Sequence, residues 1–325
     1  MSKNKPTFIS LFSGAGGFKL GFEEAGFNCI LASDIMQEAQ DTCKLNSKTP
    51  FLCKDIRQIK IDEVLELTNG RHPDVIIGGP PCQGFSVMGD KLGSDPRNNL
   101  FQSYISLVRA LNPKCFVLEN VKGLKTMYGG QAFQAIVDGF SESGYNIHST
   151  IINASDFGVP QSRERVFIVG TKLAKGFNFP EPAQINIGCL TPCKSVGEAI
   201  NDLAKETNIK NHIHLNHSDI VKERYSLIPE GGRLPPPEML PKHIRRKNFG
   251  STYIRLHRNK LAPTMVPGNN AFPVHPTLNR SLSPREAARI QSFPDNHVFA
   301  GSRRMQCILV GNAVAPMVAA NIGKE

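Results

Sequence analysis

Short apolar runs alternate with segments of helical periodicity through the first half of the chain. Strands are predicted at 7–12, 29–32, 74–77, 115–118, 145–153 and 165–170, and helices at 18–25, 37–45, 99–111 and 132–143. Alternation of this kind is typical of βαβ units around a parallel sheet. The pattern therefore predicts a doubly wound α/β domain, with helices on both faces of the sheet.

The pattern changes after Thr171, where prolines cluster and the periodicity weakens. We interpret this part as a second, smaller and less regular domain. Helical periodicity returns at 284–291, and the apolar stretch 307–320 is expected to rejoin the first core. The predicted division is 1–180 for the first domain, completed by 300–325, with 181–279 for the small domain and 280–299 as a hinge segment.

Composition and charge narrow the class of protein. Of the 325 residues, 40% are hydrophobic and 20% are charged, which is typical of a folded chain and excludes a disordered or fibrous one. The formal net charge is +10, and nine Lys and Arg residues lie between Met239 and Arg285 without a single Asp or Glu. Such a stretch favours a polyanionic partner such as DNA, although a merely solvated face is the simpler interpretation.

The sequence also indicates a cellular compartment. No uninterrupted apolar run reaches the roughly 18 residues that a membrane-spanning helix needs. Glycines at 14, 16 and 17 interrupt the one run that resembles a secretion signal. The eight cysteines form no C-x-x-C pair, as expected where thiols stay reduced. We therefore predict a cytoplasmic protein that does not enter the membrane.

A group of histidines and cysteines raises the question of a zinc site. The group comprises His212, His214 and His217 with Cys189 and Cys193. Neither spacing matches a tetrahedral zinc finger. We therefore predict no bound metal.

A glycine-rich turn follows the first predicted strand, in F-I-S-L-F-S-G-A-G-G (8–17). Such a turn lets a ligand approach the backbone at a helix N-terminus, although an ordinary tight turn accounts for the pattern equally well. Lys19 stands where a dinucleotide fingerprint has its third glycine, which disfavours a nicotinamide oxidoreductase. Asp34 after the second strand and Asp55-Ile56 after a further apolar stretch indicate an adenosine-containing ligand without a pyrophosphate.

A second candidate site follows the strand at 74–77, in I-I-G-G-P-P-C-Q-G-F-S (76–86). The two prolines direct the chain so that Cys82 lies beyond the carboxyl end of the strand, where open α/β sheets place their active sites. A nucleophile is one interpretation, and an inert buried thiol is the other. Glu119 ends the next strand, as a candidate acid or a helix cap. Arg163 and Arg165 share one strand face, either as an anion-binding pair or as a solvated edge.

These segments, in this order, resemble the DNA (cytosine-5) methyltransferase family of the prokaryotic restriction-modification type. The resemblance spans nearly the whole chain: F-S-G-A-G-G, G-P-P-C-Q-G-F-S, E-N-V, Q-S-R-E-R, R-S-L-S-P-R-E-A-A-R-I-Q-S-F-P-D (280–295) and G-N-A-V (311–314). It implies a Rossmann-like domain that binds S-adenosylmethionine and a small, irregular target-recognition domain. The expected substrate is a cytosine within double-stranded DNA.

The resemblance also implies a role for each matching residue. The cofactor would be held by Phe12, Ser13, Gly14, Gly16, Gly17, Asp34, Ile35, Asp55, Ile56, Pro80, Asn312, Ala313 and Val314. Cys82 would add to carbon 6 of a flipped cytosine, Glu119 would meet ring nitrogen 3, and Arg163 and Arg165 would position the base. The expected DNA contacts are Ser86, Arg97, Arg245, Arg246, Lys247, Arg255 and Arg258.

Three expectations complete the sequence-based interpretation. The last motif reads G-N-A-V-A-P, where the family often has a proline directly after the valine, so we expect a less firmly packed final helix. Two alternatives remain open, a tRNA methyltransferase of the same fold and a non-catalytic DNA-binding module. For the preferred interpretation we expect a nucleoid-associated monomer that protects DNA from a restriction endonuclease of the same system.

Overall fold

A central sheet organises the part of the chain that the computed structural model describes, residues 5–81, 99–206, 208–246, 249, 253–266 and 272–325. Within these residues seven strands pair in the order β3-β2-β1-β4-β5-β7-β6. The strands are β1 (Thr7–Leu11), β2 (Asn28–Asp34), β3 (Phe51–Cys53), β4 (Val75–Gly78), β5 (Cys115–Val121), β6 (Asn146–Asn153) and β7 (Glu164–Thr171). The sheet follows the predicted runs, with β3 as an addition.

The sheet is mixed rather than parallel. Strands β1 to β5 are parallel to their neighbours, but β7 runs antiparallel to both β5 and β6. The expectation of a parallel sheet is therefore wrong at this edge. Residues 154–163, which join β6 to β7, are fewer than the roughly one dozen that a parallel crossover needs. The two strands consequently form a hairpin.

Helices cover both faces of the sheet, as a doubly wound fold requires, and further helices lie in the region after β7. They are α1 (Gly17–Glu24), α2 (Gln37–Asn46), α3 (Ile61–Leu67), α4 (Asn99–Leu111), α5 (Gln131–Ser141), α6 (Val196–Ile200), α7 (Asp219–Ser226), α8 (Pro284–Ile290), α9 (Arg303–Asn312) and α10 (Pro316–Lys324). Phe8 of β1 packs with α1 and α10 on one face, whereas Ile9 packs with α4 and α5 on the other. This division follows from the alternation of side chains along a strand.

The final helix packs tightly, contrary to expectation. A Cβ on Gly21 of α1 would lie 2.4 Å from both the Pro316 carbonyl oxygen and the Ala319 side chain, so the two backbones are in contact. The proline one position later than usual occupies the first turn of α10, where its missing N–H is not needed. Arg303–Lys324 has the length and composition of a membrane-spanning segment, but 78% of its most apolar window is buried, as in a core helix.

The region between β7 and α8 is less regular, as the weak periodicity predicts. It contains the short helices α6 and α7 and isolated β-bridges. A small apolar cluster lies around Tyr225, Ile228 and Val274, while Val196 and Leu203 join a larger cluster with residues of α8 and α9. The exact boundaries of the two domains stay a prediction.

Candidate active site

A strained turn connects β1 to α1. Phe12, Gly14 and Gly16 all have positive φ angles of 53°, 52° and 80°. Glycine adopts this conformation freely, but a phenylalanine does so only where its surroundings enforce it. The turn is closed by a hydrogen bond from the Gly16 N–H to the Ser13 carbonyl and tied to β2 by one from the Ser13 N–H to the Ser33 carbonyl.

Asp34, at the end of β2, accepts hydrogen bonds from the backbone on the other side of this turn. Its Oδ2 accepts the Gly14 N–H at 2.8 Å, and its Oδ1 accepts the Met36 N–H at 3.0 Å. Burial raises the pKa of the carboxyl, and these backbone hydrogen bonds partly oppose that shift. Each oxygen retains a further lone pair for a ligand hydroxyl. Ile35 follows directly, and its side chain is 65% exposed at this edge of the sheet.

The C-terminal motif returns to complete the same edge. A Cβ on Gly17 would lie 2.2 Å from the Val314 carbonyl oxygen, so only glycine allows the segment to approach α1 this closely. On the other side, Arg163 Nη2 donates to the Ala313 carbonyl at 3.0 Å. Asn312, the last residue of α9, is exposed beside them. The segment 312–314 thus connects the glycine turn with Arg163, the residue directly before β7.

Glu119 forms the centre of the second predicted site. It is 8% exposed, and its Oε1 lies 3.1 Å from Arg165 Nε. Burial raises the pKa of this carboxyl, although Arg165 and Arg163 oppose the shift. The next residue, Asn120, donates its side-chain N–H to the Pro80 carbonyl at 2.7 Å. The chain just before Cys82 is therefore pinned next to a buried carboxyl group that retains its proton to a higher pH than usual.

Arg163 is buried, and some of its N–H donors have no acceptor in the described part of the chain. It is 3% exposed, and its Nε and Nη1 atoms have no hydrogen-bond partner among the described residues. Burial lowers its pKa to about 10, so the side chain remains charged at neutral pH. A cavity of about 10 Å³ borders Arg163 and Arg165. Buried donors without acceptors are costly, so Nε and Nη1 are candidate donors to an acceptor on a bound ligand.

The remaining predicted cofactor residues lie on the same edge of the sheet. Asp55 caps a short 3₁₀ turn and forms a two-point ion pair with Arg57, which lowers the pKa of its carboxyl. Ile56 packs into the core beneath it. With the glycine turn, Asp34 and the exposed Ile35, these positions fit an adenosine-containing ligand: an open backbone cradle, carboxylates and an apolar side chain.

Comparison with known proteins decides the family. The model of the C-5 cytosine-specific DNA methylase family matches residues 6–325. The chain belongs to this family. It is 40% identical to the type II methyltransferase M1.HphI of Haemophilus parahaemolyticus over 98% of this chain and 86% of that protein. A crystal structure of a candidate DNA modification methyltransferase from an Escherichia coli prophage matches with a TM-score of 0.78, at 28% identity and 98% coverage of both chains.

A further solved structure, of DNMT2 from Spodoptera frugiperda, matches with a TM-score of 0.67 at 19% identity and covers 97% of this chain and 98% of that one. This likeness shows the fold alone.

The family match shows that the methylase is a DNA (cytosine-5) methyltransferase that uses S-adenosylmethionine as its methyl donor. The sequence-based prediction of family, fold class and cofactor is confirmed.

Several predicted site residues lie outside the described part of the methylase. These are Cys82, Ser86, Arg97 and Lys247. Of the other predicted DNA contacts, Arg245 and Arg246 are exposed. Arg245 donates to the carbonyls of Leu240 and Glu238, and Arg246 stacks over Phe249 at 5.7 Å. Both therefore keep charge at the surface.

The prediction for Arg255 is not retained. The side chain is 5% exposed, and its guanidinium donates to five acceptors within the small region. The acceptors are the carbonyls of Tyr225, Ile228, His275 and Leu278 and the side-chain oxygen of Asn279. Arg255 thus holds the fold of this region and has no donor left for a phosphate. Arg258 is 48% exposed but paired with Glu230, so a phosphate would have to compete with that carboxylate.

The histidines considered for zinc do converge with an acid. One ring nitrogen each from His212 and His214 and an oxygen of Glu286 lie within 4.8 Å of one another. Arg280, however, donates to both Glu286 oxygens, and His212 Nε2 lies 3.0 Å from the Leu203 carbonyl. An adjacent cation and an occupied ring nitrogen both oppose metal binding. We assign this cluster to the structure of the region.

Sequence reasoning missed two residues that shape the site. Asn120 is the middle of E-N-V, yet only its neighbour Glu119 was assigned a role. His297 contacts the glycine turn and lies in no motif used for the prediction. Its position two residues after the F-P-D sequence was the only available signal.

Proposed function

We propose that this methylase is the modification enzyme of a type II restriction-modification system, methylating a flipped cytosine within a specific double-stranded DNA sequence through a covalent bond to Cys82. The observation that supports the proposed chemistry is the buried cluster of Glu119, Arg163 and Arg165 beside Pro80. This cluster offers a proton and spare N–H donors at one end of the sheet, as a neutral ring with polar edges would require.

The proposed reaction begins at Cys82. Carbon 5 of cytosine is too weak a nucleophile to accept a methyl group directly. Addition of the Cys82 thiolate to carbon 6 breaks the 5,6 double bond and pushes its electron pair toward carbon 5. When bound, S-adenosylmethionine supplies the electrophilic methyl group. Loss of the proton from carbon 5 then restores the double bond and releases the thiolate.

Glu119 assists this addition from the opposite edge of the ring. Because burial raises the pKa of its carboxyl, Glu119 takes up a proton more readily than an exposed glutamate, and we propose that it donates one to ring nitrogen 3, where negative charge would otherwise accumulate. Its ion-pair partner Arg165 fixes the orientation of the carboxyl. The neighbouring Arg163 brings the unpaired Nε and Nη1 donors, which suit the exocyclic oxygen of the base.

The proposed partners follow from the relatives and from the charge. M1.HphI is named a type II methyltransferase, and by analogy we expect a restriction endonuclease that reads the same DNA sequence. Arg245, Arg246, Lys247 and Arg258 are proposed phosphate contacts, together with Ser86 and Arg97. We further propose that the enzyme acts as a monomer in the cytoplasm, on nucleoid DNA. The tRNA methyltransferase remains the second candidate only by its shared fold.

Trapping with 5-fluorocytosine tests the covalent step. Fluorine on carbon 5 is not eliminated as a cation, so a duplex carrying this base at the target should remain bonded to the enzyme after denaturation. Peptide mass spectrometry should place the adduct on Cys82. Cys82→Ala should form no adduct. Cys189→Ala removes an exposed thiol that donates a hydrogen bond to Glu24, and this variant should behave as wild type. An adduct on another residue would overturn the mechanism.

Bisulfite sequencing identifies the target. DNA and tRNA from cells that express the chain should be sequenced in parallel with those from cells that express Cys82→Ala. We expect modified cytosines in one short DNA sequence and none in tRNA. Modification confined to tRNA would favour the second candidate and contradict the proposed substrate.

A further inference from the structure

His297 reaches the cofactor turn from a distant part of the chain. It lies in the loop between α8 and α9 and is 8% exposed. Its Nε2 atom lies 2.8 Å from the carbonyl oxygen of Ala15, 282 residues away in sequence. Ala15 is the middle residue of the strained turn and is itself 1% exposed. The carbonyl that the imidazole meets is therefore shielded from water.

The hydrogen bond to Ala15 defines which nitrogen of the His297 imidazole carries the hydrogen. A carbonyl oxygen only accepts, so Nε2 must carry the hydrogen and donate it. Burial lowers the pKa of His297 to about 4, and Arg285 and Lys19 act in the same direction, while the Ala15 hydrogen bond opposes them. The ring is consequently neutral under ordinary conditions, with its hydrogen on the atom that faces the turn.

The surroundings hold the ring rigidly in place. It packs between Phe293 and Phe299, whose ring centroids lie 5.1 and 5.2 Å away. The fully buried Arg285 donates to the backbone carbonyl of His297. On the turn side, a Cβ on Gly16 would lie 3.6 Å from His297 Cε1. The imidazole thus lies behind the turn, where it borders a cavity of about 50 Å³, and its neighbours fix the orientation of its donor.

The turn is consequently held at two points from opposite sides. Asp34 fastens the Gly14 N–H, and His297 fastens the next residue's carbonyl. The two bonds hold the peptide planes on either side of the Gly14–Ala15 peptide, and together they restrict the rotation of the peptide between them. Without the His297 donor, the buried Ala15 carbonyl would lack this partner and the turn would relax to satisfy it.

We propose that His297 is a positioning residue for S-adenosylmethionine, which keeps the turn at 12–17 in its binding conformation without touching the cofactor. The hydrogen bond from the ring to the Ala15 carbonyl carries this role. The inference depends on the cofactor of the family and not on the proposed roles of Cys82 or Glu119. A binding measurement without DNA therefore separates it from the proposed catalytic mechanism.

The test compares two variants by calorimetry with S-adenosylmethionine and no DNA. His297→Phe keeps an aromatic ring between its neighbours but removes the donor, and we expect its Kd to rise about tenfold, the value of one buried hydrogen bond. His297→Gln retains an N–H at about the same reach and should recover most of that affinity. In steady-state assays the KM for the cofactor should rise in His297→Phe while the KM for DNA stays unchanged.

His217→Phe serves as the matched control. His217 is a similarly buried histidine in the region between β7 and α8, where its ring meets Tyr225 edge to face and hydrogen-bonds Ser281. It should lose some thermal stability and no cofactor affinity. Should His297→Phe fail to fold, His297→Asn, whose shorter amide does not reach Ala15, takes its place. A folded donor-less variant with wild-type Kd, or a Gln variant as weak as Phe, would overturn the proposal.

Discussion

Arg163 and Arg255 are both buried arginines, but they differ in how many of their N–H donors the protein itself satisfies. Arg255, in the irregular region, gives its guanidinium to five acceptors of the protein, four of them backbone carbonyls. Arg163, directly before β7, donates from Nη2 to Ala313 and leaves Nε and Nη1 without partners among the described residues. A guanidinium carries five N–H donors, so the first is satisfied and the second is not.

The comparison shows what a cluster of positive charge in a sequence can mean. Of the nine basic residues between Met239 and Arg285, Arg255 and Arg285 are buried, and Arg280 is paired with the buried Glu286. Three of the nine basic residues therefore stabilise the fold rather than offer their charge to a partner. The arginine that suits a ligand is instead Arg163, which directly precedes the mainly apolar strand β7.

The largest effect is expected at the carboxyl group between the arginines. Glu119→Gln keeps the shape but removes the acid, and kcat should fall by about 10²–10⁴, the usual contribution of a general acid. The Kd for S-adenosylmethionine should stay nearly unchanged, because the side chain lies at the base site. Single-turnover assays and calorimetry measure the two quantities. A variant with near wild-type kcat would remove Glu119 from the proposed chemistry.

The next experiment exchanges the two arginines for methionine in parallel. Arg163→Met should lower kcat/KM for DNA by about 10², because the base no longer meets its donors, with a modest decrease in stability. Arg255→Met should leave four carbonyls unpaired and lower the free energy of unfolding by more than about 3 kcal/mol. Its folded fraction should retain activity.

Urea unfolding and methyl transfer, measured on both variants, decide the comparison. If Arg255→Met remained stable and bound DNA more weakly, Arg255 would be a DNA contact after all. Equal decreases of stability and activity in both variants would remove the distinction between a satisfied and an unsatisfied buried arginine.

A smaller effect is expected from the exposed charges. Replacing Arg245, Arg246 and Lys247 together with alanine should weaken DNA binding and flatten its salt dependence, by about 0.9 in log–log slope for each phosphate that is no longer neutralised. The cofactor Kd should not change. Titration of the cognate duplex at several salt concentrations measures the slope. An unchanged slope would mean that the duplex is held elsewhere, most plainly by Arg97 and the segment after Cys82.

The smallest effect concerns pH. Burial lowers the pKa of His275 and of His297 to about 4, below the usual 6.5, so the unfolded chain binds protons that the folded one does not. Stability from these groups is therefore present above pH 6.5 and is lost as the pH falls toward 4. Each histidine should remove about 0.7 kcal/mol between pH 7 and pH 6. Urea unfolding of wild type and His297→Phe at both pH values measures the difference.

Local sequence predicted most of the fold. Helix α4 has the predicted bounds because its apolar periodicity is strong, and strand β3 was missed because three residues carry too little pattern. The antiparallel direction of β7 follows from the short connection between β6 and β7. The sequence-based prediction did not take the length of this connection into account. Contacts between distant residues, such as His297 with Ala15 or Arg163 with Ala313, leave no trace in local periodicity. Only the order of short motifs brought the site residues together.

The contact between Gly17 and the Val314 carbonyl has a consequence for the timing of synthesis. The ribosome makes the glycine turn first and reaches Val314, which closes it, 297 residues after Gly17. A nascent chain therefore carries one side of the cofactor-binding turn while the residues between Gly17 and Val314 are added. Closing so long a loop is slow compared with forming local structure. Methylation should begin only after the ribosome has released Val314, so partly synthesised chains cannot mark DNA.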